Sequence, residues 1–166
     1  MFIKHKVALL AAAIALPAVP ALAQAPASPT YVAKAGASDL YEKTSSELVL
    51  QSTQDPKVRE FAQGMIRDHT KSTADVKAAA TQAKLKVAPP KLDAEQTRMV
   101  AQLRAARGVA RDKLYWEQQK TAHQQALALH QSYAEGGQTA SLKTVATGIV
   151  PVVQHHIEML NGTHSM

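Results

Sequence analysis

An all-α bundle of four long helices is the fold this sequence predicts, and three observations predict it. Apolar residues recur at helical spacing along four long stretches of the chain. No stretch alternates apolar and polar residues for long enough to make a half-buried strand. Two of the three links between the long stretches are tight corners, while the middle one is long enough to run the length of a bundle. Few of the 166 residues are helix breakers (7 Gly and 8 Pro), which suits helix better than sheet.

The chain opens with a segment read as a signal peptide over residues 1–23. Lys4 and Lys6 form a cationic start, an apolar run from Val7 follows, and Ala21-Leu22-Ala23 fits a small-x-small cleavage site. That run is interrupted by Pro17 and Pro20 and is too short to span a bilayer stably. Cleavage near Ala23 leaves a mature chain without a transmembrane anchor, periplasmic or secreted. A Pro/Ser linker over 24–30 leads into the bundle domain, assigned to 31–161.

Helix one is expected from about Tyr31 to Thr53. Asp55 then caps a second helix with Pro56 at its first position, and Ala88-Pro89-Pro90 stops it after about Lys86. Asp93 and Gln96 form a capping box for a short extra helix that ends near Gly108. A third long helix runs from Val109 to Glu135 and is closed by Gly136-Gly137. The fourth begins near Thr139 or Ser141, continues to about Leu160, and contains Pro151, which should kink it or loosen one turn. Short corners make the outer pairs antiparallel, and a long crossover carrying its own short helix belongs to ferritin-like bundles.

Every long helix carries a polar residue on its apolar stripe. These are Glu42, His69, His123 and His155, with His156 beside it. Measured from the corners, Glu42, His69 and His123 fall at one height, and His155 lies about one turn away. Two readings stand. The four could form a hydrogen-bonded polar layer that fixes helix register. Alternatively, three imidazoles and a carboxylate in a bundle core can hold a transition metal, with copper or iron as the ion. Met65 shares a helix face with His69, and Met159 with His155, so thioethers add to the case for copper and serve as second-choice ligands together with His156. A di-iron carboxylate site needs Glu three residues before the histidines, where Ile66, Lys120 and Val152 stand instead. Asp68 could orient an imidazole or simply face water, and Asp112 sits where an acid favours a helix N-terminus. His130 has no partner that can be named from sequence.

Zero cysteines exclude disulfide scaffolds, thiolate metal sites and thiol catalysis. The net charge of +6 is spread along the chain, and aromatics make up only 4%, so nucleic-acid binding is not expected. Weak association with the anionic envelope is the most that charge supports. No nucleophile elbow and no phosphate-binding glycine loop is present. The leading expectation is a non-enzymatic exported bundle with an envelope- or stress-related role. The alternative is a periplasmic metal-binding protein that uses Glu42, His69, His123 and His155.

The chain also resembles an exported bacterial ferritin-like family of unknown function, often labelled "predicted outer membrane protein". The matching pieces are Y-V-x-K-A from Tyr31, Glu42, D-P-x-V-R-x-F-A-Q-x-M-I-x-D-H from Asp55 to His69, R-D-x-x-Y from Arg111 to Tyr115, His123, and P-x-x-x-H from Pro151 to His155. The resemblance implies a ferritin-like bundle, favours His155 over His156 as the inward residue, and implies no enzymatic activity.

Overall fold

The computed structural model describes residues 24–162; the segment read as a signal peptide lies outside them. Five helices and no strands occur among the described residues: α1 (Ser28–Leu50), α2 (Pro56–Gln82), α3 (Ala94–Ala105), α4 (Gly108–Gly136) and α5 (Ala140–Gly162). Helices α1 and α2 form one hairpin and α4 and α5 another; α1 packs on α4 and α2 on α5, while α3 lies along α1 and α4. The described residues contain no helix long and apolar enough to cross a membrane.

Most helix ends follow from local chemistry visible in the sequence. The Asp55 carboxylate accepts from the Lys57 amide at 2.8 Å, with Pro56 opening α2. The capping box at α3 is complete, each of Asp93 and Gln96 accepting from the other's backbone amide. Gly137 follows α4 because nothing larger fits: a Cβ there would lie 2.5 Å from the Tyr133 carbonyl oxygen.

Besides α3, which closes at Ala105 rather than near Gly108, three boundaries differ from expectation, each for a tertiary or local reason. Helix α1 starts at Ser28, inside the expected linker, because the Ser28 hydroxyl is tied to Tyr133 (2.6 Å) and Thr139 (2.7 Å) across the bundle. It stops at Leu50 because Thr53 is taken into the interior, where its hydroxyl donates to Asp112 at 2.9 Å and accepts from the Asp55 amide. Helix α2 ends at Gln82 as Lys84 turns left-handed (φ 57) and the Leu85 amide bonds back to the Ala80 carbonyl. Helix α5 runs on through Pro151 without a break. Pro151 and Thr147, whose carbonyl loses its amide partner, both face solvent, where water can take over the bond.

The interior is divided along the bundle axis. One apolar cluster gathers Tyr31, Val76, Tyr133, Leu142 and Val153 near the α4–α5 corner. A second gathers Val49, Val58, Phe61, Met65, Leu103, Tyr115 and Leu160 near the α1–α2 corner. Between them lies a belt of buried polar side chains: Asp39, Glu42 and Ser45 from α1, His69 and Ser72 from α2, Gln119 and His123 from α4, and His156 from α5.

Candidate metal centre

Helical spacing builds the belt. Each helix keeps its inward stripe but replaces the apolar residue at mid-height with one that carries nitrogen or oxygen. Its centre is the trio His69, His123 and His156, which offer one ring nitrogen each, all within 4.8 Å of one another. His123 Nε2 and His156 Nδ1 stand 3.3 Å apart. Bonds of about 2.0–2.1 Å to a tetrahedral ion would set two such nitrogens about 3.3 Å apart.

The outer nitrogen of each ring is already committed. His69 Nδ1 donates to the Asp39 carboxylate at 2.8 Å, His123 Nδ1 to the Gln119 carbonyl at 2.9 Å, and His156 Nε2 to the Asp68 carboxylate at 3.0 Å. A carboxylate or carbonyl only accepts, so the proton of each neutral imidazole sits on that outer nitrogen. The inner nitrogens of His123 and His156, Nε2 and Nδ1, therefore present lone pairs inward, and Nε2 of His69 does so once that ring is neutral. Two face each other at 3.3 Å, and His69 Nε2 is buried with no hydrogen-bond partner. Imidazoles oriented from behind by carboxylates and a carbonyl are what a metal-ligating histidine requires.

Electrostatics sharpens the point. Burial, helped by the neighbouring His69 and His156, pushes the His123 pKa down to about 3. His156 is lowered as well, burial outweighing the hydrogen bond to Asp68. A proton is therefore a poor bridge for those two lone pairs at neutral pH. His69 moves the other way: burial opposes its charge, but the Asp39 hydrogen bond and the charges of Glu42, Asp39 and Asp68 together raise its pKa. Glu42, with no exposed surface, is pushed up to about 7 by burial, an effect the neighbouring His69 only partly offsets. Neither Glu42 oxygen has a hydrogen-bond partner, since the Gln119 amide donates to Ser45 instead.

Of the four ligands expected from sequence, the structure brings two, His69 and His123, to the inner point. Glu42 stands behind His123, its Oε1 3.7 Å from the outer Nδ1, and so is placed to act on the trio rather than within it. His155 is not inward: its side chain is 68% exposed and lies beside Glu158, whereas His156 is 2% exposed. The cause is register. Leu142, Ala146, Ile149, Val153, His156 and Leu160 form one unbroken buried stripe, and His155 is rotated about 100° away from it. Met65 and Met159 belong to the apolar cluster around Phe61. Asp68 does orient an imidazole, that of His156 on α5 rather than its neighbour His69. Asp39, on the inward stripe of α1, is a partner that histidine-centred sequence reasoning passed over. Asp112 accepts from the Thr53 hydroxyl through one oxygen, and its other oxygen is buried without a hydrogen-bond partner. His130 Nδ1 and the Tyr31 hydroxyl share a hydrogen bond of 2.9 Å.

Two comparisons bear on the chain as a whole. A solved structure, "Crystal structure of DUF305 fragment from Deinococcus radiodurans", is similar over 84% of this chain and 96% of that one, with a TM-score of 0.72 and 16% sequence identity. At that identity the likeness speaks for the fold alone. Comparison with curated proteins finds no match. The family model for DUF4142, a domain of unknown function, matches residues 12–162, nearly the whole sequence, and the chain belongs to that family.

Proposed function

We propose that this chain is an exported, non-enzymatic metal-binding protein, a ferritin-like bundle that holds one transition-metal ion on His69, His123 and His156. The observation that carries the reading is the pair of facing lone pairs at 3.3 Å beside the unpartnered Nε2 of His69. A polar layer that served only to fix helix register would pair its own groups, as buried networks do. This one leaves His69 Nε2, both Glu42 oxygens, Ser72 Oγ and Gln119 Oε1 without partners. Three nitrogen donors suit copper, at the top of the affinity order; iron, which imidazole also binds, stands well below it. The long crossover between α2 and α4 supports the ferritin-like description. The cationic start, apolar run and Ala21-Leu22-Ala23 support export to the periplasm or beyond.

The test is thermal unfolding of the untagged chain from Gln24, with and without copper(II) or iron(II). One ion per chain and a rise in Tm are expected, because an ion held only by the folded state must stabilise it. An unchanged Tm across both ions overturns the metal reading. Export is tested by the N-terminal sequence of the protein recovered outside the cytoplasm, where Gln24 is the expected first residue.

A further inference from the structure

Beside the end of α1, Ser52 and three arginines, Arg104, Arg107 and Arg111, line an open cleft of about 530 Å3, within the range of small-ligand sites. No acidic side chain lines it, and none of the three arginines is in an ion pair among the described residues. The acids of this corner, Asp55, Asp112 and Glu117, line the adjoining pocket around Trp116 instead. Arg111 is only 5% exposed, and a guanidinium so buried ordinarily has a carboxylate. Its partners here are neutral. Nε donates to the Ala106 carbonyl at 2.9 Å, and Nη1 to the Leu48 carbonyl (2.9 Å) and the Ser52 hydroxyl (3.1 Å). Nη2 makes no bond inside the chain and is not sealed from solvent, which leaves two N–H donors unused. Ser52 accepts from Arg111 and so keeps its own proton to donate. Arg107 donates to the carbonyls of Arg104 and Ala106 through one terminal nitrogen, and the Arg104 side chain bonds to nothing among the described residues.

We infer that this cleft binds a doubly charged phosphate group. Helix ends do not neutralise the arginines. The C-termini of α1 and α3 contribute roughly −0.5 each, and the N-terminus of α4, which no side chain caps, contributes roughly +0.5. Three guanidinium charges therefore keep a surplus of more than two. A carboxylate would neutralise one of them and occupy one fork. A phosphate monoester brings about −1.5 to −2 charge and three acceptor oxygens. Donors reaching in from the end of α1, from α3, from the α3–α4 link and from α4 suit a tetrahedral anion better than a planar one. No aromatic ring lines the cleft, so nothing there stacks a nucleobase. Free phosphate, a soluble phosphate ester and a lipid phosphate headgroup share this chemistry. The cleft has no residue in common with the histidine trio, so the inference stands apart from the metal reading.

The first probe is inorganic phosphate, titrated into the chain from Gln24 at about pH 8 and about 150 mM NaCl, where phosphate is doubly charged and diffuse attraction is screened. One phosphate per chain is expected. Arg104→Gln breaks no bond within the chain, so it should fold as the native chain does and weaken phosphate binding about 10-fold. Adding Arg107→Gln, at a second exposed position, should bring the loss to about 100-fold. Arg98→Gln, on α3 but outside the cleft, should change affinity by less than about twofold. Equal losses in Arg98→Gln and Arg104→Gln would mean bulk charge alone and overturn the inference, as would acetate that displaces phosphate at equal concentration. The second probe is vesicles of phosphatidic acid in phosphatidylcholine, set against phosphatidylglycerol vesicles of the same surface charge. Preferential capture by phosphatidic acid that Arg104→Gln weakens assigns the phosphate to a lipid headgroup. Uptake of inorganic phosphate without such capture assigns it to a soluble ligand. Binding of neither probe overturns the inference, as does equal capture by both vesicles with no uptake of free phosphate.

Discussion

His130 and His123 are both buried in α4, and burial pushes both pKa values down, to about 4 and about 3. Yet they do opposite things. His130 sits in the tyrosine-rich end of the bundle, where its Nδ1 and the Tyr31 hydroxyl share a hydrogen bond and the Tyr31 ring meets it edge-on. That nitrogen finds its partner inside the chain. His123, two turns earlier, has its Nδ1 proton tied to the Gln119 carbonyl and aims the other nitrogen at two more imidazoles. On the metal reading proposed above, depth and neutrality do not separate a ligand from a structural histidine. What separates them is whether the second ring nitrogen is met by a hydroxyl of the protein.

The contrast breaks most visibly at His123. At an ion concentration a thousandfold above Kd, the native chain should gain about 4.1 kcal/mol of stability from the metal. His123→Leu should lose that gain entirely while folding at least as stably as the native chain in chelator, because it removes a desolvated ring and no partnered carboxylate. Metal-dependent melting of the variant, compared with the native chain, checks both halves. A variant that still binds stoichiometrically removes His123 from the site.

Acid should act next, through His130. Its folded pKa of about 4 lies below the ordinary 6.5, so the unfolded chain takes up the proton first as pH falls. The stabilisation is complete above pH 6.5 and is lost progressively down to about pH 4. By linkage it amounts to at most about 3 kcal/mol. Urea unfolding of the native chain and of His130→Phe between pH 7 and 4 measures it, and the variant should show a shallower pH slope.

Tyr31→Phe should cost about 1–3 kcal/mol by leaving the buried His130 Nδ1 without its hydrogen-bond partner. Metal affinity should stay within twofold, because Tyr31 does not touch the trio. Loss of metal in this variant would join the two regions that are here treated as separate. The smallest effect belongs to His155→Ala. At a 68% exposed position beside Glu158 it should change stability by no more than about 0.5 kcal/mol and leave metal uptake intact. Impaired uptake there would favour the ligand set with His155 in place of His156.

Much of the belt is legible in the residues of α1, α2 and α4. Glu42, His69 and His123 interrupt otherwise apolar stripes, and their distances from the corners place them at one height. The fourth helix shows where such reading stops. His155 and His156 are adjacent, and the corner after α4 does not fix the rotation of α5 to within 100°. The signal that does exist is the stripe Leu142, Ala146, Ile149, Val153, His156, Leu160, which steps alternately by four and three. It is blurred by the nearby apolar Val145, Val152 and Met159, which make a second plausible face. Outer partners were harder still to read. Asp39 sits on the inward stripe of α1, but its bond to His69 crosses between two helices, and Asp68 turns to α5 rather than to the histidine next to it.

The sequence by itself determined five helices, most of their caps, the long crossover and the presence of titratable groups in the interior, because these depend on periodicity and on contacts a few residues apart. Tertiary packing alone decided which of two neighbouring histidines faces inward, which carboxylate backs which ring, and which nitrogen of each ring is left with a bare lone pair. Those choices depend on rotations and axial shifts of whole helices, where about 100° per residue turns one step of register from core to solvent.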